Sequence, residues 1–272
     1  MHFDPSKDVP SLDGKVILIT GGNAGIGAAA VHGLAGHNPA RIFLCSRNVS
    51  NARPVVDAAV KAHPKAQIDI LQLDLASVES VRQCAEAVNE KTDRLDLLLL
   101  NAGIAGVASN KSKEGYEIHI GVNHLGHALL TQLLLPKLLH TTTLGDSDVR
   151  VVVTTSLMAH RSAPSKGIVL SEAFNADAFD SASQRYGHSK LANILFARKL
   201  AQLYPSITAV SQHPGIVQTD GYAKADGVKV PHFVIAPFLW LSGVKPEKGA
   251  HNTLWCASGE SAEGRAREWG IL

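Results

Sequence analysis

Six short apolar runs, separated by segments of helical spacing, constrain this chain more than any other feature. They are KVILIT (15–20), RIFLCS (41–46), QIDILQL (67–73), LDLLLL (95–100), VRVVVTT (149–155) and ITAVSQH (207–213). They are near-continuously apolar rather than alternating. That pattern belongs to strands covered on both faces, as parallel strands are. Between them lie Ala- and Leu-rich segments with helical spacing, at about 25–36, 52–62, 77–91, 115–139 and 184–204. Ser77 is placed to cap the third of these, with Ser80 following, and Pro205 stops the fifth. The alternation predicts a doubly wound parallel α/β sheet of about six or seven strands, with helices on both faces. Right-handed crossovers then restrict the topology.

The 272 residues contain no internal repeat, low-complexity tract or linker, so 1–272 reads as one domain. Residues 214–247 break the rhythm, with Gly and Pro around an apolar centre. A long irregular insert beside a rigid sheet is expected to be a substrate loop. Apolar residues make up 45%, charged residues 18%, and the net charge is +2. This is a globular composition, too balanced for nucleic acid or an acidic membrane surface as main partner.

Three cysteines, Cys45, Cys84 and Cys256, form no CxxC pair. A disulfide framework or zinc site is not expected, and a reducing compartment fits best. Cys45 is expected to pack as a small hydrophobe. MHFDPSKDVP has no apolar core of a signal peptide, and the apolar stretch 230–244 is interrupted by Pro231 and Pro237. The expectation is a cytoplasmic protein without a membrane span. Among thirteen histidines, His124 and His127 lie three apart on a helix with His119 nearby. No carboxylate or cysteine completes a set, so no metal is expected. His188 is expected on the polar surface of its helix.

In an open parallel sheet, ligands bind beyond the carboxyl ends of the strands. After the first run comes TGGNAGIG (20–27), with Gly21, Gly25 and Gly27 spaced G-x-x-x-G-x-G. Glycines there let the backbone approach a pyrophosphate, and the next helix offers free N–H groups and its positive dipole end. Glycines also serve simple turns, but this cluster lies between the first strand and the first helix, where the phosphate site is needed. The second run ends in Ser46, Arg47 and Asn48, with no carboxylate to hold a ribose 2′-hydroxyl. A guanidinium suits a 2′-phosphate, so NADP(H) is expected over NAD(H). The alternative is that Arg47 is a solvated loop residue.

YGHSK (186–190) puts Tyr186 and Lys190 four residues apart, on one helix face. A free tyrosine has a pKa near ~10. An adjacent ammonium lowers it toward the range useful for proton transfer to a carbonyl oxygen. The pair alone also occurs on ordinary helix surfaces. Here Ser156 follows the fifth run, and Asn123 lies in GVNHLGHALL.

The T-G-x-x-x-G-x-G turn, followed in order by Asn123, Ser156, Tyr186 and Lys190, resembles the short-chain dehydrogenase/reductase family and its Rossmann-like fold. The resemblance runs from about Leu12 to Ala257. VNHLGH, SLMAH and YGHSKLANILFARKL look most like the retinol-dehydrogenase and WW-domain-oxidoreductase branch. It implies that Tyr186 moves the proton, that Lys190 holds the nicotinamide ribose and tunes Tyr186, and that Ser156 orients the substrate oxygen. Asn123 is implied to hold a water linking Lys190 to solvent.

Implied cofactor contacts are Gly21, Asn23, Gly25, Ile26, Gly27, Arg47 and Asn48 in the first half of the chain. Asp74 and Leu75 are implied at the adenine, and the N-A-G motif matches Asn101, Ala102 and Gly103. Pro214 and Gly215 match the P-G turn, with Val217 and Thr219 at the carboxamide and pyrophosphate. From the residues alone, Asp74 also serves as a helix cap, Asn101 as a tie between strands, and Thr219 as a loop hydroxyl. Leu100 and Thr155 replace an Asn and a Ser usual in the family. FNADAFDSAS (174–183) resembles an insert that rims the pocket, and REWGIL leaves a short or missing last strand.

The expected activity is NADP(H)-dependent hydride transfer involving a ketone, aldehyde or alcohol. Phe233, Phe238 and Trp240 suit an apolar or aromatic substrate. Family habit implies a homodimer or tetramer built on the helices near 115–139 and 184–204. The rivals are an NADP(H)-binding sensor without turnover, and a nucleotide-sugar epimerase or dehydratase. The latter favours a T-G-x-x-G-x-x-G turn that this chain lacks.

Overall fold

Every apolar run contains a strand: β1 (Val16–Thr20), β2 (Arg41–Ser46), β3 (Ile68–Gln72), β4 (Leu97–Leu100), β5 (Arg150–Thr154) and β6 (Thr208–Gln212). The structure, a computed structural model, describes residues 3–170, 179, 181–218 and 243–259. Thr219, the apolar stretch around Phe233, Phe238 and Trp240, most of the insert at 174–183, and REWGIL lie outside the described residues. The strands form one parallel sheet in the order β3-β2-β1-β4-β5-β6. The order reverses between β1 and β4, which opens a crevice at their carboxyl ends.

The near-continuous apolarity of the runs has its cause in the pleat, which sends successive side chains to opposite faces. Ile17, Ile19, Ile42, Leu44, Leu97 and Leu99 pack with Val31, Leu34, Ala52 and Leu254 on one face. Leu18, Phe43, Leu98, Leu100 and Val151 pack with Val81, Leu130, Leu134 and Leu200 on the other. Cys45 is fully buried in this second layer, as a small hydrophobe would be, and its Sγ lies 3.7 Å from that of Cys84. Burying each large aliphatic side chain contributes roughly 1.5–3 kcal/mol.

The helices are α1 (Pro5–Asp8), α2 (Gly25–Ala35), α3 (Val49–Ala62), α4 (Val78–Lys91), α5 (Ile118–Ile120), α6 (Gly126–Thr141), α7 (Met158–Arg161), α8 (Ala182–Leu203) and α9 (Pro246–Ser258). Helices α2, α3 and α9 cover the first face, and α4, α6 and α8 the second. A π-helical turn, Gly121–Leu125, joins α5 to α6, where the sequence predicts one unbroken helix. Ser77 caps α4 as expected, its Oγ accepting from the Ser80 N–H, and Ser181 caps α8. Helix α3 starts at Val49 rather than near 52, because Asn48 Oδ1 accepts from the Ser50 N–H at 3.0 Å.

At the amino edge of the sheet the charges are paired. Asp96 is fully buried; it accepts from the Val16 N–H at 2.9 Å and from Arg94 at 2.6 and 3.0 Å. Lys15 stands 3.6 Å from it. This cluster ties the start of β4 to the start of β1, far from the crevice.

Candidate active site

The glycine turn follows β1. Gly21 and Gly25 have φ of 67° and 52°, a region that side chains with a Cβ rarely adopt. A Cβ on Gly27 would sit 2.2 Å from the Gly21 carbonyl oxygen and 2.7 Å from Asn101 Nδ2, so the turn closes only with glycine there. Helix α2 then begins at Gly25, and Ala24 before it provides no side-chain cap, unlike the residues before α3, α4 and α8. Asn23 is half-buried in the turn, and the Ile26 side chain packs into the core.

At the end of β2, Arg47 is exposed and makes no ion pair among the described residues. Asn48 uses its side-chain oxygen to cap α3, which turns that atom inward to the helix. Asp74 makes a local turn instead of capping α4: Oδ1 accepts from the Ala76 N–H at 3.0 Å. Its own N–H donates to Ser80 Oγ at 2.9 Å. Leu75 is buried behind it. Asn101 does tie strands together, with Nδ2 donating to the Thr20 carbonyl at 3.0 Å. Gly215 has φ of 84°, which explains a glycine after Pro214. The Val217 side chain is buried against Gly249, and the backbone around Val217 forms an isolated parallel bridge with Val244.

The four residues of the expected tetrad come from three elements. Helix α8 carries Tyr186 and Lys190, and the Lys190 Nζ lies 5.7 Å from the Tyr186 ring centroid. Nζ donates to the Thr154 carbonyl at 2.9 Å, at the end of β5. Lys190 has no carboxylate partner among the described residues, and burial pushes its pKa down to about 8. Thr155 anchors the same helix by donating from Oγ1 to the Lys190 carbonyl at 2.9 Å. Ser156 follows, half-buried, its Oγ accepting from the Met158 N–H at 3.3 Å.

Gly187 lets α8 lie against the turn that begins at Ser156. A Cβ there would stand 2.6 Å from the Met158 carbonyl and 2.7 Å from the Ala163 nitrogen. Asn123 arrives from the π turn. Its Nδ2 donates to Ser189 Oγ at 2.9 Å and to the Ile104 carbonyl at 3.0 Å, while Oδ1 accepts from the Ile104 N–H at 2.8 Å. A Cβ on Gly103 would be 3.2 Å from Asn123 Oδ1 and 3.4 Å from Lys190 Nζ. The N-A-G segment therefore meets the tetrad.

Several neighbours carry no sequence signal. Glu117 Oε1 lies 2.7 Å from His119 Nδ1 and 3.3 Å from Arg185 Nε, all three buried, one residue before Tyr186. The His119 ring meets the Tyr186 ring edge-on at 6.3 Å. His188 is a correction: it is 1% exposed, not a surface residue. It accepts from the Val169 N–H at 3.3 Å and packs on Phe179, both of which lie against this side of α8. His124 contacts Asn193 Oδ1 at 3.2 Å, whereas His127 contacts Thr20 Oγ1 at 2.9 Å, so the two rings face different partners. Buried His213 Nδ1 and Gln212 Oε1, at the carboxyl edge, have no hydrogen-bond partner among the described residues.

A cavity of about 580 Å³ lies elsewhere, on α6 and α8 between Leu125, Leu129, Leu135, Phe196 and Leu203. It contains none of the tetrad, and the chemical geometry of the sheet's carboxyl edge outweighs its volume as a guide to the active site.

Residues 15–170 match the family model described as short chain dehydrogenase. A short chain dehydrogenase/reductase from Colletotrichum higginsianum is 34% identical over 97% of this chain and 68% of its own length. Human retinol dehydrogenase 11 is also 34% identical, over 93% of this chain and 75% of its own. The NADPH-bound carbonyl reductase from chicken fatty liver superposes with a TM-score of 0.67 at 25% identity, covering 92% of this chain and 93% of that one. The strand order, the glycine turn and these similarities agree: the chain belongs to the short-chain dehydrogenase/reductase family, oxidoreductases that use nicotinamide cofactors, in its retinol-dehydrogenase-like branch.

Proposed function

We propose that this protein is an NADP(H)-dependent oxidoreductase that interconverts a ketone or aldehyde with its alcohol, with an apolar or aromatic substrate. One observation carries the reading: a buried ammonium, Lys190, stands over the ring of Tyr186 with no carboxylate among the described residues to neutralise it. With a pKa of about 8 it is still mainly charged at neutral pH. An ammonium so placed favours the phenolate and makes Tyr186 a competent acid and base.

The residues present fit a nicotinamide dinucleotide. The uncapped start of α2 beside two glycines of positive φ suits a pyrophosphate, and Arg47 is exposed, without an ion pair among the described residues, where a 2′-phosphate would need a partner. Gln212 Oε1 and His213 Nδ1, buried without a partner among the described residues, suit a polar occupant at the same edge. Gly21, Asn23, Gly25, Ile26, Gly27, Arg47 and Asn48 would hold its phosphate and adenosine side, with Asp74 and Leu75 at the adenine. Asn101 to Gly103, Lys190 and the 214–219 segment would hold the nicotinamide side.

The bound coenzyme supplies or accepts the hydride. In reduction, the Tyr186 hydroxyl donates its proton to the substrate oxygen, and Lys190 stabilises the phenolate left behind. Ser156 donates a hydrogen bond to the same oxygen and orients it. Asn123, clamped to Ile104 and Ser189, holds the water on which Lys190 draws. NADPH in the chicken carbonyl reductase supports the coenzyme assignment, and reduction is the favoured direction. We also read the whole chain as one cytoplasmic domain with a substrate loop at 214–247. The apolar cavity on α6 and α8 supports a homodimer or tetramer, which light scattering tests.

The functional test is NADPH consumption over apolar ketones, aldehydes and polycyclic quinones. Tyr186→Phe should lower turnover by roughly 10²–10⁴-fold, the usual worth of a general acid. Equal turnover by Tyr186→Phe moves the acid elsewhere, and coenzyme binding without any turnover by the wild type makes the protein a sensor. Arg47→Asp should shift the preference from NADPH toward NADH; an unchanged ratio removes Arg47 from the 2′-phosphate site.

A further inference from the structure

The second histidine of VNHLGH does not belong to the tetrad, yet it is 1% exposed at the centre of the site. His127 Nδ1 lies 3.0 Å from the Asn123 carbonyl oxygen, and Nε2 lies 2.9 Å from Thr20 Oγ1. A carbonyl only accepts, so Nδ1 carries the hydrogen. Thr20 Oγ1 already accepts from two donors, the N–H groups of Asn101 and Ala102, each at 3.0 Å. A hydroxyl has two lone pairs and one proton. Its proton therefore goes to His127 Nε2, and the Leu99 carbonyl, at 3.5 Å, is the poorer acceptor.

Every donor and acceptor in this chain is used once, and only the neutral Nδ1–H ring completes it. A second proton on the ring would give the hydroxyl a third donor with no lone pair to receive it. Burial acts in the same direction and pulls the imidazole pKa down to about 3, with the Lys190 ammonium adding positive charge nearby. The chain spans the end of β1, the segment after β4 and the π turn. These hold the glycine turn, the N-A-G motif and Asn123.

We propose that His127 is a positioning residue: it locks the two cofactor-facing strand ends to the turn that carries Asn123, and so sets coenzyme affinity and the alignment of Tyr186 and Lys190. This rests on the proposed oxidoreductase function for its kinetic part, but not for its binding part. The chemistry of the two contacts is separable. Asn at 127 can keep the donor to the Asn123 carbonyl, whereas Phe keeps a ring and removes both bonds.

The experiment measures NADPH affinity, kcat and KM for wild type, His127→Phe, His127→Asn, Thr20→Val and Thr20→Ser. His127→Phe should weaken NADPH binding about 10-fold and lower kcat by roughly 10–100-fold, the scale of an ångström-size misplacement. The carbonyl KM should change less than about 2-fold, because ground-state binding of the substrate is not what His127 controls. Thr20→Ser should restore what Thr20→Val loses, His127→Asn should fall between, and the His127→Phe and Thr20→Val effects should be non-additive.

Nitrogen-15 shifts of the wild-type imidazole should report Nδ1–H from pH 5 to 8 with no titration. An Nε2–H ring, a ring that titrates in that range, or unchanged affinity and kcat beside a lowered Tm overturns the proposal. Wild type that binds NADPH but reduces no carbonyl ends the oxidoreductase reading alone, and affinity and the imidazole spectrum still decide the role of His127. If His127→Phe does not fold, the Thr20 pair and the wild-type spectrum decide it.

Discussion

Buried Asp96 at the amino edge of the sheet and buried Lys190 at the carboxyl edge are treated in opposite ways. At the amino edge, buried Asp96 is matched by Arg94 and Lys15, and Arg150 by Asp148. At the carboxyl edge, buried Lys190 has no counter-ion among the described residues, and burial holds His124, His127 and His213 below their ordinary pKa. Pairing a buried charge secures a fold, whereas leaving one unpaired shifts its pKa toward neutrality, which proton transfer needs. The difference teaches which edge secures the fold and which holds an unneutralised charge at a cost to stability.

Lys190→Met should break the comparison most visibly. Turnover should fall by about 10²-fold or more as Tyr186 loses its ammonium. The Tm of the coenzyme-free protein at pH 7 should rise, since Asn193 Nδ2 still serves the Thr154 carbonyl at 3.1 Å. The sign follows from the shift from 10.5 to about 8. Below pH 8 both folded and unfolded chains carry the proton, and the folded state bears the full desolvation. Between pH 8 and 10.5 the folded state has released it while the unfolded state has not, so wild-type stability climbs relative to the variant. Above 10.5 the penalty is gone. The gap to be recovered is about 3 kcal/mol at 1.36 kcal/mol per pKa unit. Denaturant titrations of both proteins at pH 7 and 10.5 measure it, and a gap independent of pH would show that burial of the ammonium costs nothing.

Asp96→Ala should do the reverse. It leaves Arg94 only Asp146, 3.4 Å away, and removes the acceptor for the Val16 N–H, at a cost of about 3–5 kcal/mol. In the folded fraction, NADPH affinity and kcat should stay within about 2-fold, because the crevice lies at the other end of the strands. A larger loss of affinity would show that the two edges are coupled. Asp148→Asn should matter least. Asp148 is 54% exposed and Arg150 keeps the Cys256 carbonyl at 3.1 Å, so the change should stay within about 1 kcal/mol. A bigger drop in Tm would place this pair with the buried ones.

The expected site was legible to different degrees, for identifiable reasons. Tyr186 and Lys190 lie on a regular helix, where i and i+4 share a face whatever the surroundings. The glycine turn was equally legible, since only glycine tolerates the φ of Gly21 and the closeness of Gly27 to the Gly21 carbonyl. Asn123 was recognised by family resemblance, but the π turn that carries it was not expected. An extra residue in a helical turn leaves no mark in an apolar pattern that reads as continuous helix. His188 was misplaced for a related reason: its cover comes from Phe179 and Val169, on a segment whose path local spacing does not encode.

By itself, the sequence determined the strands, their coverage on both faces, the glycine turn and the Tyr–Lys spacing. Each of these follows from backbone geometry and side-chain periodicity over a few residues. Only the tertiary structure decided the partners across the sheet. Thr20 meets His127 across 107 positions, Cys45 lies against Cys84, and Glu117 pairs with Arg185 beside Tyr186. Such contacts depend on how helices settle onto strands, because a side chain's partner is set by the packing of both elements rather than by its own neighbours in the chain.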